Sequence, residues 1–476
     1  MTDLTDAITF QAAGPRRPAH RLAPWIAEAR ALGRLALPLA VTQLAQMAVL
    51  TTDIIMLGRL GRTALASAAI GNTVFYFAWL IGIGPMSALA PMIAQALGAR
   101  ANAPGGAYAL GEVRRIARMG LWAVLLLAPP LMTFLLFARS ILLFFHQEPI
   151  LAQGAGWFVA MLAIGLPFSL AYQGLRNVAS ALGHARPALA VMGATILFNI
   201  LGDYTLIFGH FGAPRLGLVG AGLATSASFI FSALAMATII RFTPGLHRYR
   251  VLRRFHRPAW RKLQELFRLG APIGVTILFE AMMFNAMTLV MGTFGAEALA
   301  AHQVALNFAS VTFMGPQGIG MAAAIRVGLA AGAEDDAGVR RSGYTAMAVA
   351  SALMGVCGIG MALFGANIAE LYISGRTAQD LAVIALAASF LKVAAAFQVF
   401  DAVQVVGAMA LRGLKDARAP MLLAGASYWL AGAPMCIALG VGLHMRGLGI
   451  WIGLAFGLAV AAAAMSLRFR YLSRDR

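Results

Sequence analysis

Twelve apolar stretches divide this 476-residue chain, and each is long enough to cross a lipid bilayer. A helix needs about 20 consecutive apolar residues to span the hydrocarbon core. The stretches lie near residues 33–57, 65–97, 116–138, 151–182, 187–208, 217–240, 266–293, 299–330, 343–372, 381–411, 419–441 and 447–467. Because backbone polar groups cannot stay unpaired in lipid, these segments must be helical. The sequence therefore predicts an all-α integral membrane protein with twelve transmembrane helices.

The composition supports a membrane protein without a soluble domain. Hydrophobic residues make up 60% of the chain and charged residues 12%, which is far from the soluble globular range. The formal net charge is +19, and we attribute it to loop arginines that interact with the anionic headgroups of membrane lipids. No soluble basic face is visible, so we expect no nucleic-acid partner.

Arginine and lysine residues predict the orientation, because they accumulate in cytoplasmic loops. Loops after odd-numbered helices contain six of the 37 basic residues, and the opposite side contains thirty. Both termini are therefore expected to be cytoplasmic.

The second half of the chain resembles the first. The segment around Pro38 aligns with that around Pro272, and Pro187 aligns with Pro420 at an offset that differs by one position. We call the spacing from Pro38 to Pro272 the repeat offset. Since six helices are an even number, both copies face the same way and form parallel repeats.

The repeats predict the division of the chain into domains. We expect a cytoplasmic tail (1–30), an N-terminal six-helix lobe (31–242), a cytoplasmic connector (243–262), a C-terminal six-helix lobe (263–470) and a second tail (471–476).

Five segments give the chain a specific resemblance to a known family. They are TTDIIMLGRLG from Thr51, NILGDYTLIFG from Asn199, FEAMMFN from Phe279, AAHQVALNFASVTFMGPQGIGMAAAIRVG from Ala300 and FDAVQVVGAMALRGLKD from Phe400. On these segments the chain resembles the multidrug and toxic compound extrusion (MATE) family, in its bacterial NorM-like branch.

The resemblance implies two pseudo-symmetric six-helix lobes around a central V-shaped cavity. It also implies an antiporter that exports amphipathic, mostly cationic compounds in exchange for protons or sodium ions by alternating access. A monomer in the inner membrane of a bacterium is expected, without a cofactor or a resident metal and with sodium as the sole metal ion to consider.

Four carboxylates stand in the apolar stretches, where an ionisable residue marks a functional site by default. Asp53 is one, and Asp203 shares one face of the fifth helix with Thr195 and Asn199, because the three are spaced by four. The resemblance implies that Asp53, Asn199 and Asp203 form a proton or cation site in the N-terminal lobe. It also implies that the first helix bends at Pro38.

A second acidic pair, Glu280 and Asp401, is predicted in the C-terminal lobe for the substrate or the coupling ion. No basic partner is evident, because Lys392 is nine residues before Asp401 and points to another face. The family's sodium-associated pattern often has a tyrosine where Phe397 stands, which disfavours a sodium site here. Backbone carbonyls and water are further sources of ligands, so the sequence leaves the ion undecided. Around the two acid sites, the side chains expected to line a cavity are Gln46, Thr195, Met283, Phe284, Met287, Phe397 and Gln404.

Other function classes fit the sequence less well. A flippase for lipid-linked precursors, from the same wider superfamily, is the alternative, but it would favour a basic cavity to meet pyrophosphate. An enzyme would need a catalytic cluster near an interface, and the loops offer only the solvated run Glu334, Asp335 and Asp336. A passive channel would differ from an antiporter by failing to accumulate substrate against its gradient.

Overall fold

A computed structural model describes residues 23–99, 107–251, 255–373, 375 and 377–474. The described residues contain twelve helices that are long and apolar enough to cross a membrane, as the sequence predicts. They are α1 (Ala23–Gly58), α2 (Arg62–Gly98), α3 (Ala107–Leu136), α4 (Pro149–Ala181), α5 (Arg186–Phe208), α6 (Leu218–Phe242), α7 (Trp260–Gly292), α8 (Ala296–Gly332), α9 (Asp336–Glu370), α10 (Ala378–Gly413), α11 (Arg418–Gly442) and α12 (Arg446–Arg474).

Some segments depart from regular transmembrane helices, and Phe364 interrupts the helical geometry of α9. A short helix, Ala138–Phe144, follows α3. Helix α11 contains two π-helical segments, Ala426–Gly432 and Ala438–Gly442. π-Helical turns are rare, and they frequently occur at functional sites.

Local sequence accounts for several helix ends. Thr377 and Asp380 form a capping box at the start of α10, in which each side chain binds the other's backbone N–H. Gly61 and Gly295 precede α2 and α8 with φ values of 116° and 108°. L-residues with side chains rarely adopt such values, and the two glycines are separated by the repeat offset.

Contacts divide the chain into two units, and the division falls inside α1 and α7. The N-terminal unit comprises Thr42–Gly274; the C-terminal unit comprises the described residues up to Val41 together with those from Val275 on. Helix α1 runs without interruption through Pro38, just before the division. Each repeat thus contributes the first part of its first helix to the unit formed mainly by the other repeat.

An ion pair holds the first part of α1 in the C-terminal unit. Arg326 on α8 donates two hydrogen bonds to the carboxylate of Glu28, and Ser342 on α9 donates a third at 2.7 Å. Glu28 is buried, so this network compensates its charge within the protein. Nearby, a Cβ atom on Gly318 would overlap the backbone of Ala40, which means that α8 approaches α1 closely only because residue 318 is glycine.

The first part of α7 is held in the N-terminal unit in a similar way. The Lys262 ammonium lies 3.2 Å from Glu112 on α3 and 3.1 Å from Glu265. A Cβ atom on Gly84 of α2 would overlap the backbone of Gly270 and Gly274. Small residues therefore permit close helix approach in both units, as they commonly do in membrane proteins.

The helices extend beyond the predicted apolar spans. Helix α1 begins at Ala23, so residues 23–30 of the expected tail are helical, and residues 1–22 lie outside the described residues. Helix α7 begins at Trp260 inside the expected connector, and α12 continues to Arg474. These extensions carry charged residues, which hydropathy windows exclude although a helix can include them.

Candidate functional site

Three helices of the N-terminal unit bring a group of polar side chains together in its interior. We call Asp53 on α1, Asn199 and Asp203 on α5, and Thr225 on α6 the Asp53 cluster. Asp53 is 8% exposed, and Asn199 and Asp203 are 0% exposed. Thr225 Oγ1 donates a hydrogen bond of 3.3 Å to Asp53 Oδ2, and Asp53 also interacts with Asp203 and Asn199. The three residues predicted from the sequence therefore lie together, and Thr225 joins them.

The hydrogen-bonding capacity of the Asp53 cluster is largely unused. Asp53 Oδ1, both carboxyl oxygens of Asp203 and both amide atoms of Asn199 form no hydrogen bond of normal geometry with a described residue, although Asp203 and Asn199 interact with Asp53. No lysine or arginine of the described chain interacts with either acid. Buried polar atoms are nearly always paired, so this cluster presents several oxygen atoms to a proton or a small cation.

The sequence does not predict Thr225, because spacing patterns relate residues within one helix and Thr225 lies on α6, whereas the other members lie on α1 and α5. The one signal is a hydroxyl residue in an apolar helix, and such residues commonly bond to their own backbone. Thr225 does this too, since its hydroxyl lies 3.0 Å from the Ala221 carbonyl. Thr195 is buried on the same face as Asn199, but its hydroxyl donates to the Val191 carbonyl at 2.8 Å.

Gln46 has a partner that the sequence did not suggest. The guanidinium of Arg176 on α4 donates to Gln43 Oε1 at 2.7 Å and to Gln46 Oε1 at 3.4 Å. Arg176 is 1% exposed and makes no ion pair with a described carboxylate. Gln46 and Asp53 thus use different partners, although both lie on α1.

The second acidic pair lies in the C-terminal unit with a buried arginine. We call Glu280 on α7, Asp401 and Arg412 on α10, and Tyr428 on α11 the Glu280 cluster. Asp401, Arg412 and Tyr428 are buried, and Glu280 is partly buried. Arg412 interacts electrostatically with Glu280, and Glu280 with Asp401; Tyr428 interacts with all three.

Arg412 corrects the expectation that these acids have no basic partner. It stands eleven residues after Asp401, which is three helical turns at 3.6 residues per turn, so both side chains project from one face of α10. The sequence contains this spacing, but Arg412 lies next to a helix end, where arginines are common and interpreted as loop residues. Tyr428 comes from the first π-helical segment of α11.

Most of the predicted lining residues of the Glu280 cluster are packed inside the unit. Met283, Met287 and Phe397 are 2–3% exposed. The Phe397 ring lies edge-on to those of Phe284 and Trp451, at 6.0 and 5.6 Å between centroids. Gln404 is buried, and its Oε1 has no hydrogen-bond partner among the described residues. A cavity role for these side chains stays a prediction.

Sequence comparison identifies the chain's relatives. A model of the MatE family matches residues 38–205 and 272–438. The chain is 40% identical over 439 residues to the probable multidrug resistance protein NorM of Mesorhizobium japonicum, with 92% of each chain covered. It is 39% identical over 418 residues to the multidrug resistance protein NorM of Burkholderia vietnamiensis, with 87% of this chain and 88% of that one covered. These relatives are named multidrug resistance proteins and not enzymes, which agrees with the prediction that the chain is not an enzyme.

Solved structures share the fold. The eukaryotic MATE transporter AtDTX14 superposes with a TM-score of 0.81 at 24% identity, over 95% of this chain and 98% of that one. A MATE protein in its bent conformation gives a TM-score of 0.83 at 20% identity, over 94% and 96% of the two chains.

Proposed function

Because the chain belongs to the MatE family, we propose that it is a multidrug efflux antiporter, which exports amphipathic, mostly cationic compounds in exchange for protons or sodium ions. Its relatives are named multidrug resistance proteins, and transport by alternating access is the usual mode of secondary transporters. The observation that carries the proposed coupling is the Asp53 cluster, with two buried carboxyls and no basic partner in the described chain.

The Asp53 cluster is proposed as the coupling site. Two neighbouring carboxylates inside a membrane protein repel each other, and both lose hydration when buried. A bound proton or sodium ion neutralises one of these charges. Asp203 and Asn199 have unpaired polar atoms that can form new hydrogen bonds when the cation binds. Cation binding would thereby change which arrangement of α1 and α5 is favoured, and bending of α1 at Pro38 is the proposed response.

The Glu280 cluster is proposed to attract the cationic part of the substrate or the coupling ion. Its two acids and Arg412 leave one net negative charge when all three are ionised, so a monovalent cation completes the neutralisation. Arg412 would compete with that cation for Glu280. Sodium prefers several oxygen ligands, and Phe397 supplies none, so we favour a proton or an organic cation in this cluster.

The proposed setting is the bacterial inner membrane, with both termini in the cytoplasm and the protein acting as a monomer. The arginine asymmetry of the loops supports this orientation. Accessibility of a tag at residue 2 and of another after Arg476 tests it. Both tags should report the cytoplasmic side; opposite sides, or two external tags, would contradict the orientation.

The lipid-linked precursor flippase remains the alternative. Arg176 is the feature in its favour, since it is a buried cation without an acidic partner in the described chain. One arginine among glutamines is a small basic surface for a pyrophosphate, whereas both clusters of ionisable groups are acidic.

Transport in proteoliposomes of the purified protein tests the proposal. An imposed proton or sodium gradient should drive a cationic dye to a concentration above equilibrium, and dissipation of the gradient should release the dye. Passive equilibration alone would indicate a channel. Movement of a lipid-linked pyrophosphate with no movement of the dye would indicate the flippase.

A further inference from the structure

A cavity of about 630 Å³ lies in the N-terminal unit, apart from the Asp53 cluster. It is bounded by α3, α4, α6 and the segment that follows α6. Helix α4 contributes Phe168, Ala171 and Leu175, and α6 contributes Ala233 and Ala237. Neither acidic cluster contributes a residue to this cavity, so the function proposed above leaves it unexplained.

The apolar part of the cavity is elongated along the helices. Phe168, Ala171 and Leu175 are spaced by three and four residues, so they share one face of α4 over roughly 10 Å at 1.5 Å per residue. Leu234 and Phe242 also line the cavity and are 59% and 72% exposed. The cavity therefore opens onto apolar surface, where a lipid chain could enter from the bilayer.

The other end of the cavity is basic. Arg241, His247 and Arg250 line it, and none of them makes a salt bridge with a carboxylate of the described chain. The nearby acid Glu112 is already paired with Arg115 and Lys262. Two arginines thus stand beside an apolar cleft with no anion from the described residues to neutralise them.

The basic end is held in place by α3. Arg114 Nε donates to the Tyr249 carbonyl at 2.9 Å, and Trp122 Nε1 donates to the Phe255 carbonyl at 2.9 Å. The first bond holds the backbone of Tyr249, next to Arg250, which itself has a left-handed conformation with φ 44°. The backbone beside Arg250 is therefore ordered by α3 without a ligand, which lowers the entropic cost of binding.

We propose that this cavity binds one anionic phospholipid, with its phosphate between Arg241 and Arg250 and an acyl chain along Phe168, Leu175 and Ala237. Basic pockets between transmembrane helices on the cytoplasmic side are suited to lipid headgroups. Positive charge disfavours the cationic compounds proposed as substrates, and free phosphate would leave the apolar cleft unused. The site would tie the N-terminal unit to the anionic leaflet independently of transport.

Equilibrium binding of a fluorescent phosphatidylglycerol to the detergent-purified, full-length protein tests the proposal. Unlabelled phosphatidylglycerol should displace the probe, whereas phosphatidylcholine with the same chains and inorganic phosphate should not. The double variant Arg241→Gln/Arg250→Gln should bind the probe roughly 30-fold more weakly, which corresponds to about 1 kcal/mol for each arginine.

The matched control is Arg257→Gln/Arg261→Gln. It removes the same charge from the same stretch of chain, but neither residue lines the cavity. Its affinity should change less than about threefold, because both side chains are exposed, neither lines the cavity, and a neutral detergent presents no anionic surface for them to attract. The variant Ala237→Phe fills the apolar cleft without a change of charge, and it should also weaken binding if it elutes as a monodisperse protein.

Three results would overturn the proposal. They are unchanged probe affinity in both Arg241→Gln/Arg250→Gln and Ala237→Phe, an equal loss in the control pair, or displacement by inorganic phosphate as effective as that by phosphatidylglycerol. Drug transport does not enter any of these measurements, so their outcome is separate from that of the proposed antiport.

Discussion

The two repeats share a scaffold but place different chemistry on it. At the repeat offset, Asp53 in the first repeat corresponds to Met287 in the second, and Glu280 corresponds to Gln46 in the first. Asp203, in the register that aligns Pro187 with Pro420, corresponds to Cys436. Each repeat therefore has an acidic pair, but neither pair occupies the positions of the other. The duplication has preserved the helices and their crossings while the ionisable groups have diverged.

The two repeats also differ in the partners of their buried arginines. Residues 46 and 280 each interact with a buried arginine from the fourth helix of their own repeat, Arg176 for Gln46 and Arg412 for Glu280. The first repeat thus opposes its arginine with neutral amides, and the second with a carboxylate. The acids of the Asp53 cluster are left without a cation of the described chain, whereas those of the Glu280 cluster have one.

The ion pairs that anchor the first helix of each repeat have opposite polarity. Glu28 on α1 pairs with Arg326, and Lys262, its counterpart at the repeat offset, pairs with Glu112. The position is retained and the charge is reversed. This indicates that each repeat needs an ion pair at this position. The residue on the first helix can be acidic or basic if its partner carries the opposite charge.

The largest expected effect concerns the acids of the Asp53 cluster, which have no basic partner in the described chain. Asp53→Asn and Asp203→Asn should each reduce drug efflux to the level of cells lacking the protein, because an amide keeps the shape of the acid but cannot take up a proton. Efflux of a fluorescent cation from cells with matched protein levels measures this. The control Glu297→Gln, an exposed acid in the first turn of α8, should be unchanged. Full efflux by both aspartate variants would remove the Asp53 cluster from the mechanism.

The two anchors should differ in strength. Glu28→Gln leaves a mostly buried Arg326 uncompensated and should lower the free energy of unfolding by about 3 kcal/mol. The Lys262 side chain is 31% exposed, so Lys262→Met should cost no more than about 1 kcal/mol. Thermal unfolding of the purified proteins in one detergent provides the comparison. A larger loss for Lys262→Met would contradict the role assigned to burial.

The Glu280 cluster should discriminate by charge. Glu280→Gln should weaken binding of a cationic dye roughly tenfold and that of a matched neutral dye much less, since linked binding free energies are about 1 to 3 kcal/mol. Arg412→Gln should have the opposite sign and strengthen binding of the cationic dye, with Arg412→Lys close to wild type. Equal losses for both dyes in Glu280→Gln would indicate packing in place of electrostatic attraction.

The smallest effect concerns the ion. Phe397→Tyr places a hydroxyl one turn before Asp401 and should raise the affinity of the C-terminal unit for sodium by no more than about fivefold, the low end of binding couplings. Sodium inhibition of dye binding in the purified protein measures it. Phe397→Leu, which removes the ring and adds no oxygen, is the control. Stronger sodium inhibition in the leucine variant would show that ring packing, and not a ligand oxygen, controls the response.

The sequence predicted the helices well because a bilayer requires long apolar segments. It also predicted the meeting of Asp53 with Asn199 and Asp203, since spacing by four residues defines one face of α5 and the family resemblance linked that face to Asp53. Thr225 and Arg412 were missed for different reasons. Thr225 reaches Asp53 across a third helix, which no local pattern reveals, whereas Arg412 shares a face with Asp401 and was obscured by the many arginines at helix ends.

The ion pairs that anchor α1 and α7 could not be predicted from the sequence. Glu28 lies 298 residues from Arg326, and nothing in either segment specifies the pairing. The division of α1 and α7 between two units depends on such contacts, and the duplication by itself predicts lobes that coincide with the repeats. Two glycines in the sequence do indicate where helices approach closely. Gly84 and Gly318 are separated by the repeat offset, and both permit a close helix crossing.

Drug-driven release of protons and of sodium, measured separately on the purified protein, tests the central claim that the Asp53 cluster holds the coupling cation. Saturating drug should release one of the two cations from the wild type, and Glu280→Gln should retain this release at saturating drug. Asp53→Asn and Asp203→Asn should still bind the drug but release neither cation. Wild-type release from both aspartate variants would place the coupling site elsewhere in the protein.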